Sequence, residues 1–379
     1  MRRWLYYSLI TTIIAPTIEL LAGQQQELAI FICSAISLIP LAAVIGLATE
    51  DLEYFVGPIA GGLLNATFGN APELIIGIFA LRHGLLSVVK ASITGSVLSN
   101  MLLVFGSSLA LGGWRWGKQY FNARDAGKYS AMLVLAVASL LIPATATLVI
   151  KDSGRIQALS VLIAVVLLVI YALYLATHVF NIRSTRRNPT QRGKPTTPLK
   201  EEEASDDNVN LSAVGTPPAS ALNREPAKPR FAALMLLIAT IGTAWNSALL
   251  VQAIRSVTVQ LGWSPVFIGL VIIPIVGNAA EHSSAIYVAI RDRVDLCMAI
   301  ALGSSVQVAT LVAPLLVLLS LFYATNLNLV FQPLELVTLG LGTVLFAFIS
   351  LDGESSWLEG VQLVTLYIIA CVVFFFVPG

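Results

Sequence analysis

The feature that most limits what this chain can fold into is a series of apolar stretches, each close to the ~20 residues a helix needs to cross the hydrocarbon core of a bilayer. Six lie in the first half, at 5–22, 28–49, 55–82, 86–112, 128–150 and 156–180. Five follow, at 231–254, 265–290, 294–323, 333–351 and 357–377. The short alternating segments of a membrane barrel are not found. Hydrophobic residues make up 57% of the 379 positions and charged residues 11%, against about 45–50% and about 25% in a soluble domain. These figures exclude a soluble globular enzyme, a disordered chain, a disulfide scaffold and a basic nucleic-acid binder. The net charge of +1 gives no bulk field toward an acidic partner. Cys33, Cys297 and Cys371 each sit in an apolar run and read as small buried hydrophobes. The sequence predicts an all-α integral membrane protein with about 11 transmembrane helices.

The 5–22 stretch is the weakest, because Pro16 and Glu19 interrupt it. After Met-Arg-Arg it resembles a signal peptide, but no small-residue cleavage site stands out, so residues 1–27 read as a retained, peripheral anchor helix. Residues 181–230 hold seven prolines, a basic run from Arg183 to Lys194, and an acidic run of Glu201, Glu202, Glu203, Asp206 and Asp207. That composition predicts a polar linker. The distribution of Lys and Arg sets orientation. With eleven spans, the side that holds the amino terminus carries 17 of the 22 basic residues; without the linker the balance is 8 to 5, with the same sign. The amino terminus and linker are therefore expected in the cytoplasm.

Sliding the chain by 208 residues places Gly69-Asn70-Ala71-Pro72-Glu73 on Gly277-Asn278-Ala279-Ala280-Glu281, and Gly95-Ser96 on Gly303-Ser304. Eight of 32 aligned positions are identical, clustered at these polar points. Each copy spans five helices, 28–180 and 231–379, and an odd number of helices forces the copies into opposite orientations. This is the inverted-repeat plan of many secondary transporters.

Glu73 and Glu281 fall near the middle of long apolar stretches, where a carboxylate costs ~2.5–3.5 kcal/mol on insertion scales. Matched positions after the same Gly-Asn-Ala make both functional candidates. Asn70 and Glu73 are three apart, as are Asn278 and Glu281, so each pair shares a helical face. Glycines and prolines interrupt both helices and release backbone carbonyls, which is tolerated only where they line a site. Two carboxylates, two amides and carbonyls form an all-oxygen set suited to Ca²⁺. Ser92, Ser96, Ser99, Asn100, Ser304, Ser305 and Gln307 follow on the next helix of each copy. Ser99, Asn100 and Gln307 read as site lining, and Gly95 and Gly303 as close packing. Two carboxylates sharing a site do not both ionise easily without a cation between them, so Ca²⁺ and protons compete for the same oxygens.

Residues 61–106 and 277–314 resemble the two signature repeats of the calcium/proton exchangers, within the calcium/cation antiporter superfamily. The resemblance extends over nearly the whole chain. It implies an antiporter, not an enzyme, that exports Ca²⁺ from the cytosol against incoming H⁺ by alternating access, needs no cofactor and has no nucleic-acid partner. The membrane would be a bacterial-type inner membrane or a vacuole-like organelle membrane. Sodium/calcium or broader divalent exchange on the same fold is the alternative. The resemblance makes Glu73 and Glu281 the central carboxylates. Asn70, Asn278, Ser99, Asn100, Gln307 and the carbonyls near Ala71 and Ala279 would line the cavity. His282 would tune Glu281 or relay a proton. Glu50 and Asp51, closing the second helix, would lie near an ion path, and the acidic run at 201–207 would be regulatory. One departure stands out: Thr243-Ala244-Trp245-Asn246 lies where the family pattern leads one to expect Ser-Glu.

Overall fold

The structure, a computed structural model, describes residues 9–22, 26–179 and 227–377. The acidic run at 201–207 lies outside them. A 3-10 turn at Leu9–Ile13 leads into α1 (Ile14–Ala22), followed by α2 (Glu27–Phe68), α3 (Ala71–Arg82), α4 (Leu86–Trp116), α5 (Ala123–Ala146) and α6 (Ser153–Val179). The second half holds α7 (Pro229–Leu261), α8 (Pro265–Gly277), α9 (Ala279–Ala289), α10 (Val294–Ser320), α11 (Pro333–Ile349) and α12 (Trp357–Phe376). Among the described residues, seven helices are long and apolar enough to cross a bilayer, or eight if the bent pair α8–α9 is one span. The other described helices are shorter.

Local chemistry fixes the helix ends. The Asn122 side chain accepts from the backbone N–H of Arg124 and Asp125 and starts α5 at Ala123, five residues earlier than the apolar pattern suggests. Ser264 accepts from Phe267 N–H and precedes Pro265, a residue that tolerates the first helical turn because no N–H is needed there. Gln332 with Glu335, and Ser356 with Glu359, form capping boxes. Gly262 ends α7 in the left-handed region, at φ 69°.

The expected turn between 28–49 and 55–82 has an unexpected form, because no residue from Glu27 to Phe68 leaves helical conformation. A Cβ built on Gly61 would nevertheless lie 3.0 Å from Cβ of Glu53. In a straight helix, residues eight apart are separated by about 12 Å along the axis. The chain therefore doubles back between 53 and 61 without a non-helical residue. Glu50 and Asp51 sit just before this reversal and are buried, not placed on a solvated helix end.

The loops gather at two ends. At one, Arg255 donates to His83 O (3.4 Å), Lys90 to Asn328 Oδ1 and Val330 O (both 2.6 Å), and Gln157 to Leu327 O (3.1 Å). At the other, Trp116 donates to Ile290 O (2.8 Å) and Asn122 N–H to Asp295 Oδ1 (2.8 Å). A two-residue antiparallel pairing of Gln119–Tyr120 with Glu354–Ser355 closes that end. So α4 runs from the first end to the second, and α10 runs back. These two helices form the core: 89% and 78% of their apolar windows are buried, against 22% for α5 and α6. Gly95 packs on the backbone of Leu270 in α8, in agreement with a packing role. Cys297 is buried in this core, while Cys33 and Cys371 are half-buried.

Candidate functional site

Both Gly-Asn-Ala segments break a helix. Asn70, at φ −109° and ψ 23°, separates α2 from α3; Asn278, at φ −91° and ψ 12°, separates α8 from α9, with a bend of 57° in the second pair. A break sets the carbonyl end of one helix against the N–H end of the next. Glu73 lies in the first turn of α3 and Glu281 in the first turn of α9. The carbonyls that lose helical partners at a break belong to the residues before the Asn. Ala71 and Ala279 instead open the following helices, and Ala279 O accepts from Ser283 Oγ (3.1 Å).

The structure brings the two breaks together. Glu73 Oε1 lies 3.3 Å from where a Cβ on Gly277 would stand, so the carboxylate of the first half rests on the break of the second. Glu73 also lies within electrostatic range of Glu281. Both carboxylates are buried, and neither oxygen of Glu73 nor Oε2 of Glu281 has a hydrogen-bond partner from another residue. Asn278 is fully buried with both amide atoms unpartnered, and Asn100 Oδ1 is likewise unpartnered. A buried polar group left unpaired costs about 1–3 kcal/mol. Several such groups around one point, acceptors foremost, are what a coordinated cation would satisfy. Among the described residues no cluster of three or more His, Cys, Asp or Glu side chains could hold a metal, so amide, hydroxyl and carbonyl oxygens must complete any shell.

A hydrogen-bonded belt crosses between the halves. Asn70 Nδ2 donates to Gln307 Oε1, Ser304 Oγ to Asn70 Oδ1 (3.3 Å), and Asn100 Nδ2 to Ser304 Oγ (2.9 Å). His282 Nε2 meets Ser99 Oγ at 3.2 Å. Ser99 begins a π turn in α4 (Ser99–Val104), and Gln307 directly precedes another in α10 (Val308–Val312). Such turns often mark functional positions. Ser304 is the residue that sequence reasoning left out of the lining; its spacing of three from Gln307 was the signal for it.

Glu50 and Asp51 are buried on α2, just before its reversal. Asn246 is not part of the belt: its Nδ2 donates to Thr12 O (3.2 Å) and Gly242 O (3.0 Å), fastening the amino-terminal turn to α7. A carboxylate there would face two carbonyl oxygens with nothing to donate, which accounts for the amide at this position.

A family model described as sodium/calcium exchanger protein matches residues 27–180 and 231–376. The Ca²⁺/H⁺ antiporter ChaA of Bacillus subtilis is 40% identical over 351 residues, covering 91% of this chain and 92% of its own length. The Ca²⁺/H⁺ antiporter of Aphanothece halophytica is 38% identical over 359 residues, covering 93% and 91%. The vacuolar calcium ion transporter of Schizosaccharomyces pombe is 36% identical over 367 residues, covering 95% and 83%. The solved structure of native YfkE has a TM-score of 0.78 at 35% identity, over 98% of both chains. The H⁺/Ca²⁺ exchanger CAX, at 16% identity and a TM-score of 0.70, shares the fold.

Proposed function

Because the chain belongs to the calcium/proton exchangers of the calcium/cation antiporter superfamily, we propose that it is a secondary antiporter moving Ca²⁺ out of the cytosol against H⁺, with Glu73 and Glu281 as the shared binding groups. The observation that carries this reading is the approach of Glu73 to Gly277, which supports one buried site where neither Glu73 oxygen nor Glu281 Oε2 is bonded by another residue. Ionised, the pair binds a divalent cation; protonated, it is neutral and lets the cation go. Asn70, Asn278, Ser99, Asn100 and Gln307 complete the lining, and His282 tunes Glu281 or passes a proton through Ser99.

Two inverted repeats of five helices, preceded by a peripheral helix, supply the alternating access. The 208-residue spacing of the breaks, the paired π turns, and the opposite directions of α4 and α10 support this arrangement. The amino terminus and linker face the cytoplasm, in keeping with the basic residues gathered at the α4–α5 and α9–α10 loops. An elementary charge crossing 100 mV is worth ~2.3 kcal/mol and a tenfold gradient ~1.4 kcal/mol. Export against a large Ca²⁺ gradient therefore requires more than one proton per ion or a strong potential.

The test is Ca²⁺ uptake into proteoliposomes driven by a pH gradient, with choline in place of all Na⁺. Full uptake without Na⁺ is expected; loss of uptake while the pH gradient stands would assign the protein to sodium-driven exchange.

A further inference from the structure

A cavity of about 510 Å³, lined by Arg115, Trp116, Tyr287, Ile290 and Arg291, opens where α4 and α9 end. It is separate from the buried site and carries two cations. Among the described residues neither guanidinium has a carboxylate partner; each stacks on a ring instead. Arg291 lies 4.4 Å from the centroid of Tyr287 and Arg115 lies 5.6 Å from that of Trp116. The acids nearby are engaged elsewhere: Glu354 with Lys118 at 2.6 Å, Asp292 with Gln119 Nε2 at 2.9 Å, and Asp295 with Asn122 N–H at 2.8 Å. The cavity lining itself holds two cations and no carboxylate. A guanidinium stacked on a ring leaves its N–H edge available for the paired oxygens of a phosphate.

Depth identifies the source of that phosphate. Trp114, 82% exposed, meets Trp357 edge to face at 6.4 Å, and Tyr120 is 69% exposed nearby. Exposed Trp and Tyr at helix ends mark the headgroup level of a bilayer. Leu111, one turn above Arg115 on α4, is exposed and continues the apolar surface toward the membrane centre. The Trp116 indole, held by Ile290 O, fixes the wall between the two helices.

We propose that this cavity binds the phosphate headgroup of an anionic phospholipid of the surrounding membrane, with Arg115 and Arg291 as the phosphate ligands and the acyl chains leaving past the exposed Leu111. The proposal rests on the membrane reading of the chain and not on which ions it exchanges.

Native mass spectrometry of the full-length protein, released from detergent and titrated with phosphatidylglycerol or phosphatidylcholine, tests it. The wild type is expected to hold phosphatidylglycerol about tenfold more tightly than phosphatidylcholine. R115Q/R291Q should lose that preference, and R115K/R291K should keep part of it, with thermal unfolding in detergent unchanged in both. Equal retention of the two lipids by the wild type, or a wild-type preference in the Gln pair, overturns the proposal. So does binding of free glycerol phosphate as tightly as the lipid, which would make this a soluble phosphate-ester site. If the Gln pair does not fold, the wild-type titrations and the Lys pair decide the question.

Discussion

Ser305 directs its hydroxyl to the carbonyl oxygen of Val97 at 3.4 Å, and Val97 is its own counterpart 208 positions earlier. In the proposed arrangement of two inverted repeats, a residue touches its own counterpart only where the pseudo-two-fold axis passes. On that arrangement the contact marks the point about which α4 and α10 cross, beside the belt of Asn70, Gln307, Asn100 and Ser304, and the proposed axis runs through the proposed site.

Close backbone approach at the crossing of α4 with α8 is a first point of test. A Cβ on Gly95 would stand 2.3 Å from the carbonyl oxygen of Leu270, which is backbone and cannot rotate away, whereas a Cβ on Gly46 would meet nothing within 4 Å. Gly95→Ala is expected to destabilise the protein by about 1–3 kcal/mol, and Gly46→Ala to leave it unchanged or slightly more stable. Thermal unfolding of the two variants in detergent checks this; equal midpoints would contradict the packing described.

Much of this was legible in the sequence because it followed from periodicity and from expensive residues. Apolar length located most helices, and two carboxylates in apolar surroundings pointed to the proposed site. The reversal between 53 and 61 was harder to place, because the hydropathy pattern puts its gap at the polar Glu50-Asp51-Leu52-Glu53, whereas the turn falls later, over Gly57-Pro58 inside the next apolar stretch. The start of α5 was missed because the cap at Asn122 lies among polar residues that a hydropathy window discards. Asn246 could not be interpreted from one sequence, because its partner Thr12 is 234 residues away.

Asn278 and Gln307 should respond differently. Asn278 has no protein partner, so Asn278→Ala is expected to leave thermal stability at or above wild type while raising the Ca²⁺ concentration for half-maximal transport roughly tenfold. Gln307→Ala removes the acceptor of Asn70 and should lower both stability, by about 1–3 kcal/mol, and apparent affinity. Transport titrations and unfolding midpoints measured on the same preparations separate the two. Loss of stability in the Asn278 variant without loss of affinity would move that residue out of the lining.

In the proposed mechanism protons and Ca²⁺ compete for the same oxygens, which fixes the sign of the pH dependence. The cation is held by the ionised carboxylates, so acidification on the binding side must weaken binding, and rising pH must strengthen it until both groups are ionised. Isothermal titration of the purified protein across a pH series is expected to show Ca²⁺ affinity rising with pH and protons released on binding. Affinity independent of pH, with no proton release, would exclude competition at the site.

The central claim is that one carboxylate from each half carries the exchange. It is tested most directly by pH-gradient-driven uptake of radiolabelled Ca²⁺ into proteoliposomes containing wild type, Glu73→Gln or Glu281→Gln at matched protein levels. Uptake should fall to background in both variants while each inserts and unfolds like the wild type. Uptake near wild type in either variant would contradict the account.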